Sequence, residues 1–351
     1  MKGVIDGVAV RSVAAALPAH VLEMAALAES FGEAEVRRIM RSTGITRVHV
    51  APPGVCASDL CEAAARALLE PEVADRVGAV VFVSQTPDHP LPPTSALLQH
   101  RLGLPTATAA FDLNFGCSGF VQGLLQAALL IHAGACDAVL VCAGDVTTRI
   151  VNPRDRALRM LFGDAGSAAI VERGKGSLAF ATATDGSGKD VLTVPAGGAR
   201  EPRSEQTAVA VEDEHGNYRS REDLFMDGME VMNYSLRDVP STIETVLAAR
   251  GWSPDEVGFF GLHQANVFLL DYLRKKMRLA AEAVPVAVAE TGNTGPASIP
   301  LMLSLCHRRL AEEGRLEKAV LCGYGVGFSV AACTCDLSAT RFVGPLHIEH
   351  G

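Results

Sequence analysis

Apolar positions along this chain fall into two alternating patterns. Short runs of mostly aliphatic residues at 4–13, 77–85, 107–113, 138–143, 257–262, 284–289 and 319–322 read as buried strands. Between them, residues 58–69, 94–102, 119–132, 240–250, 264–278 and 297–313 carry helical spacing, several closed by a glycine such as Gly103, Gly134 or Gly314. This alternation predicts a parallel-rich sheet covered by helices. The runs Ala138-Val-Leu-Val-Cys-Ala-Gly144 and Ala319-Val-Leu-Cys-Gly323 each follow a helix, a glycine and a short charged linker. That trace of duplication divides the chain into halves, 1–175 and 176–351, meeting near 172–178. A polar stretch at 200–223 interrupts the alternation and is expected as a surface insertion or long hairpin near the site entrance.

The length, 351 residues at 48% hydrophobic, provides a substantial core for two domains or one duplicated one. Net charge is −9 and no long basic stripe occurs, so nucleic acid is not an expected partner. Arg37-Arg38, Arg274-Lys275-Lys276 and Arg308-Arg309 read as solvated helix faces. Nine cysteines, an odd number without a C-x-x-C pair or an opening signal-peptide pattern, suggest a reducing, cytoplasmic setting. Cys333 and Cys335 read as buried strand positions rather than metal ligands, and no metal site is expected. The longest apolar run, 120–142, is broken by Gln122, Gln126, His132, Gly134 and Asp137, which argues against a membrane span.

Three strand-to-helix junctions carry candidate chemistry. Cys117 lies between Gly116 and Ser118-Gly119 at the start of an apolar helix, where the helix dipole is expected to lower a thiol pKa. His263 follows an apolar strand beside Gln264 and Asn266, placed to move a proton or donate a hydrogen bond. Asn293 sits in Gly-Asn-Thr-Gly, which alone is as readily an ordinary turn. Strand carboxyl ends converge on the ligand crevice of α/β folds, so the three together form a catalytic hypothesis. The same order occurs in papain-like proteases, but their Cys-Gly-x-Cys-Trp context is absent and the only tryptophan is Trp252.

Ordered segments then identify a family. Ser42-Thr-Gly-Ile-Thr-Arg47, Thr86-Pro-Asp-His, Gln99-His-Arg-Leu-Gly103, Asn114-Phe-Gly-Cys-Ser-Gly-Phe120, Leu161-Phe-Gly-Asp-Ala-Gly166, His263-Gln-Ala-Asn, Gly292-Asn-Thr and Gly323-Tyr-Gly-Val-Gly-Phe328 resemble β-ketoacyl-acyl-carrier-protein synthase III and its thiolase relatives. The resemblance implies an α/β thiolase fold, with duplicated mixed five-stranded sheets in an αβαβα arrangement, and a homodimer. It implies that Cys117 takes an acyl group from a coenzyme A or carrier-protein thioester, with no further cofactor. The N–H groups of Cys117 and Val326 would form the oxyanion hole, and His263 and Asn293 would hold the second substrate. Asp164 is read as structural.

By the same resemblance Arg38, Ser42, Arg156, Asn266 and Phe268 fall at the substrate entrance, and Leu91 at the partner subunit's gate to the acyl pocket. Arg38 and Ser42 replace the Trp and Arg that sandwich adenine, while Phe268 replaces an Arg that docks the acidic carrier protein. Leu91 in place of an aromatic gate suggests a bulkier acyl group. These departures point to a specialised relative, with or without an acyl carrier protein and with a small-molecule acceptor. Decarboxylative condensation competes with transfer to an alcohol or amine. A non-catalytic partner subunit is the third reading, disfavoured because Cys117 is intact.

Overall fold

The computed structural model describes residues 1–349. Nine strands pair continuously: β1 (Lys2–Pro18), β2 (Val77–Val83), β3 (Ala109–Leu113), β4 (Ala138–Asp145), β5 (Ala165–Thr184), β6 (Phe259–Leu262), β7 (Ala319–Gly325), β8 (Ser329–Cys335) and β9 (Arg341–Ile348). The order β3-β2-β4-β5-β1 makes one five-stranded unit and β6-β7-β8-β5-β1 the other, with β9 added parallel to β1. Both are mixed: β2 runs parallel to β3 and β4, and β6 parallel to β7, while the remaining pairs in these units are antiparallel.

The long strands β1 and β5 join the units. Residues 165–172 of β5 pair with β4, and residues 180–184 pair with β8. Strand β1 follows β5 through the change, slipping register between Asp6 and Val8. Gly7 occupies that slip at φ +83°, a backbone setting glycine adopts without the Cβ penalty.

Helices layer around these units. Helices α4 (Gly119–His132) and α7 (Ser298–Glu312) lie between them and touch strands of both. Helices α2 (Ala57–Arg66) and α3 (Thr94–Arg101) cover the outer face of the first, and α5 (Gly228–Arg250), with α6 (Val267–Lys276) packed on it, that of the second. Helix α1 (Glu33–Thr43) packs on α6. This is the expected αβαβα arrangement. Its middle layer explains why α4 is apolar on nearly every side: Phe120, Leu124, Leu125, Ala128 and Ile131 are all buried in the central core. No helix among the described residues is long and apolar enough to cross a membrane.

Three elements differ from expectation. Residues 284–289 do not form a strand; Pro285 has no N–H, and Gln264 captures the segment instead. Its Nε2 donates to the Pro285 carbonyl (3.2 Å) and its Oε1 accepts from the Ala287 N–H (2.8 Å). Helix α5 begins at Gly228 rather than 240, capped by Asp227 on the Met229 and Glu230 N–H groups, and continues through Pro240. Strand β5 lacks a sequence signature because its first stretch, residues 165–171, is buried throughout, which erases alternation. Within 200–223, Val211–Glu212 and Tyr218–Arg219 pair as a small hairpin. Arg219 fastens it to the fully buried Asp155 at 2.6 Å.

Candidate active site

Cys117 sits in the turn between the end of β3 and the start of α4. The Gly119 N–H donates to the Gly116 carbonyl at 2.7 Å, and Ser118 Oγ lies 2.8 Å from Ser329 Oγ on β8, tying the helix start to the second unit. Gly325, at the end of β7, lets the backbone approach Cys117: a Cβ there would lie 2.8 Å from Cys117 Cβ and 3.0 Å from its Sγ.

The expected lowering of the Cys117 pKa is overturned. Burial pushes the thiol up to about 12, and the nearby Asp145 carboxylate pushes the same way. Only the backbone N–H groups of Cys117 and Val326 favour the thiolate. Desolvation outweighs the helix-start setting because Cys117 is only 9% exposed. Asp145, at the end of β4, is itself raised to about 6 by burial, against hydrogen bonds from Ser84, Gln85 and Thr86. Its Oδ1 accepts from Ser84 Oγ (2.8 Å), Gln85 N–H (2.7 Å) and the Thr86 N–H and hydroxyl (3.1 and 3.0 Å).

His263 is the first residue past β6, and its N–H donates to the Cys322 carbonyl at 2.8 Å. Its Nδ1 lies 2.6 Å from the Oγ of Ser298, the first residue of α7. Ser298 Oγ also accepts from the Gln264 N–H at 3.4 Å, and with its own hydrogen directed at Nδ1 the neutral ring carries its proton on Nε2. The Tyr324 ring meets the imidazole edge-on at 5.4 Å, and its hydroxyl donates to the His263 carbonyl at 3.2 Å. Burial lowers the His263 pKa to about 3, which keeps the ring neutral.

Asn293 follows Gly292, whose φ of +67° turns the chain back toward residues 161–163. The Asn293 N–H donates to the Leu161 carbonyl (2.9 Å), and its carbonyl accepts from the Gly163 N–H (3.0 Å). Its Oδ1 accepts from the Gly295 N–H at 3.0 Å, which orients the amide and leaves Nδ2 as the free donor end.

These residues meet at two cavities. A cavity of about 660 Å³ is lined by Cys117, His263 and Asn293 at its inner end, and by Arg38, Ser42 and Phe268 among others farther out. A second, of about 270 Å³, lies on the other side of Cys117 against Gln85, Asn114, Asp145, Phe162 and Val326. Cys117, Phe162 and Leu192 line both cavities.

The other expected site residues are dispersed. Ser42 directs its hydroxyl to the Ile39 carbonyl (2.9 Å). Asn266 lines the larger cavity while its Oδ1 caps α6 on the Leu269 N–H (2.8 Å). Phe268 is 52% exposed, with its ring 5.9 Å from that of Tyr272. Leu91 is 80% exposed in the protomer and lines neither cavity. Arg156 lies outside the lining too, joined to Arg38 through Glu35. Asp164 accepts from the Ala51 N–H (2.8 Å) and from the Thr148 N–H and hydroxyl (3.0 and 2.6 Å), binding three loops together. Sequence reasoning missed Ser298, Tyr324, Glu35 and Asp145. Only Asp145 left a signal, as a carboxylate ending an apolar strand run.

Residues 111–186 match the family described as 3-oxoacyl-[acyl-carrier-protein (ACP)] synthase III, and residues 247–337 its C-terminal counterpart. A β-ketoacyl-[acyl-carrier-protein] synthase III of Caldanaerobacter subterraneus subsp. tengcongensis is 34% identical over 82% of this chain and 86% of its own. The crystal structure of a 3-oxoacyl-(acyl-carrier protein) synthase from Burkholderia xenovorans superposes with a TM-score of 0.91 at 35% identity, covering 99% of both chains. The priming β-ketosynthase of the R1128 polyketide pathway matches with a TM-score of 0.79 at 26% identity, covering 94% of this chain and 96% of its own.

Proposed function

The chain belongs to the β-ketoacyl-[acyl-carrier-protein] synthase III family of acyl-transferring condensing enzymes, and we propose that Cys117 carries the acyl group in a two-stage transfer. The observation that carries this is the convergence of Cys117, His263 and Asn293 on one cavity, with a smaller chamber behind the thiol. In the first stage Cys117 Sγ attacks a thioester carbonyl. The N–H groups of Cys117 and Val326 hold the resulting oxyanion, and the donor thiol departs with the proton from Cys117. Because the thiol starts mostly protonated, only its small thiolate fraction attacks, and the fixed donors act on the charge that then develops on the carbonyl oxygen.

In the second stage a carboxylated thioester enters the same cavity. His263 Nε2–H and Asn293 Nδ2–H donate to its carbonyl oxygen. Carbon dioxide leaves, the enolate they stabilise attacks the acyl carbonyl on Cys117, and the thiolate is expelled to take a proton from water. A neutral imidazole suits this role, since it donates without needing to be protonated first. We place the activity in a specialised pathway. The altered entrance residues Arg38, Ser42 and Phe268 and the likeness to the R1128 priming ketosynthase support that placement. The same entrance also admits transfer to an alcohol or amine as a second reading. The working unit is proposed to be a homodimer in which exposed Leu91 reaches the other subunit's acyl chamber.

Intact-protein mass after incubation with acyl thioesters tests the assignment. Wild type should gain one acyl group and Cys117→Ala none, while His263→Ala and Asn293→Ala should load but release product about 100- to 1,000-fold more slowly. Labelling that survives in Cys117→Ala would assign the acylated residue elsewhere.

A further inference from the structure

Arg38 is the only charged side chain among those lining the 660 Å³ cavity, so an anionic donor entering it meets that guanidinium first. The guanidinium is already engaged. Glu35, one turn earlier on α1, accepts from Arg38 Nε (2.8 Å) and Nη2 (2.7 Å) in a bidentate fork. Glu35 Oε1 also lies 3.2 Å from Arg156 Nε, and the Arg156 Nη2 donates to the His215 carbonyl on the 211–219 hairpin. One carboxylate therefore holds both entrance arginines, bridging α1 to the hairpin. The cluster carries one positive charge instead of two. Both guanidiniums lower the Glu35 pKa, so the carboxylate stays ionised throughout the neutral range. Much of the remaining wall is apolar, with Met226, Met229, Met232, Phe268 and Leu269. It offers contact to a neutral arm and no partner for a phosphate.

Resting on the acyl-transfer reading above, we propose that Glu35 is a specificity-determining residue that weakens this entrance's attraction for nucleotide-bearing thioesters. Favoured donors carry the pantetheine arm without the nucleotide, either free or joined to a carrier protein through a single phosphodiester. An exposed ion pair contributes little to stability, so a structural role predicts little consequence of its loss. A specificity role predicts a selective one. A phosphate dianion about 5 Å from the Glu35 carboxylate is disfavoured roughly tenfold even at the dielectric of water, and added salt weakens the effect.

The experiment offers acetyl, isobutyryl and hexanoyl groups, each as the coenzyme A, 3′-dephospho-coenzyme A and pantetheine thioester, and reads Cys117 loading by intact mass. In wild type, coenzyme A should be favoured over pantetheine by less than tenfold. In Glu35→Gln the coenzyme A to pantetheine ratio should rise about tenfold, less for the dephospho donor, with Glu35→Ala following the same order. The rise should shrink in 0.5 M salt. An unchanged ratio in both variants with Cys117 still acylated overturns the Glu35 proposal alone. So does a wild type that prefers coenzyme A tenfold or more. No acylation from any donor overturns this proposal together with the acyl-transfer reading.

Discussion

Replacing Gly325 with alanine should disable the nucleophile without unfolding the protein. The added Cβ would fall 2.8 Å from Cys117 Cβ and 3.0 Å from Sγ, whereas carbon contacts settle near about 3.5–4.0 Å. Cys117 or the end of β7 must then yield by about 0.5–1 Å. Neither can do so freely. Cys117 is enclosed at the start of α4, and Gly325 is hydrogen-bonded in register with Ser329 of β8. Whichever yields, Val326 moves relative to Sγ, and with it one of the two N–H groups that favour negative charge there. A displacement of about 1 Å at a reacting centre costs roughly 100-fold in rate. Overpacking costs about 1–3 kcal/mol of stability, small enough for a folded variant. Rapid-quench self-acylation followed by intact mass, with urea unfolding alongside, measures both. A folded Gly325→Ala protein that loads within threefold of wild type would refute the placement of Gly325 against the nucleophile.

Ser298→Ala removes the 2.6 Å partner of His263 Nδ1, so loading should persist while product release falls about 10- to 100-fold, with Ser298→Thr partly restoring it. Equal losses in both half-reactions would refute an orienting role. With the Cys117 thiol near 12, the loading rate should climb about tenfold per pH unit from 6 to 9, and a plateau at neutral pH would contradict this. His263 is held near 3 in the folded protein against an ordinary 6.5, so the unfolded chain takes up its proton first. The corresponding stability is full above pH 6.5 and is lost as pH falls toward 3. Asp145, raised to about 6 from 3.8, acts in the opposite sense, adding stability as pH falls below 6. Urea unfolding from pH 8 to 4 should therefore show a smaller acid loss in His263→Asn than in wild type. Light scattering should give a dimer at micromolar concentration, and a monomer would remove the role proposed for Leu91.

Hydrophobic period alone made most of the fold legible. Helix α4 was delimited at both ends, and β2, β4, β6 and β7 to within a few residues, because short apolar runs and capped helices record local burial directly. Cys117, His263 and Asn293 were legible as a set because each stands at a strand-to-helix junction, where an α/β chain brings its reactive ends together. Strand β5 was invisible although it joins both units, since unbroken burial over residues 165–171 removes the alternation that marks a strand. The 284–289 segment misled, because its hydrogen-bond partner is the side chain of Gln264 rather than a neighbouring strand.

The charge states were decided only in three dimensions. Sequence places Cys117 at a helix start and predicts a lowered thiol pKa, but the folded chain buries the sulfur and sets Asp145 near it, so desolvation and a like charge prevail. The hydroxyl that orients His263 lies 35 residues away along the chain, and the Arg156 held by Glu35 is farther still. Local order follows from neighbours in the chain. Solvation and the direction of a proton depend on which distant groups close packing brings within 3 Å, and no local pattern encodes that.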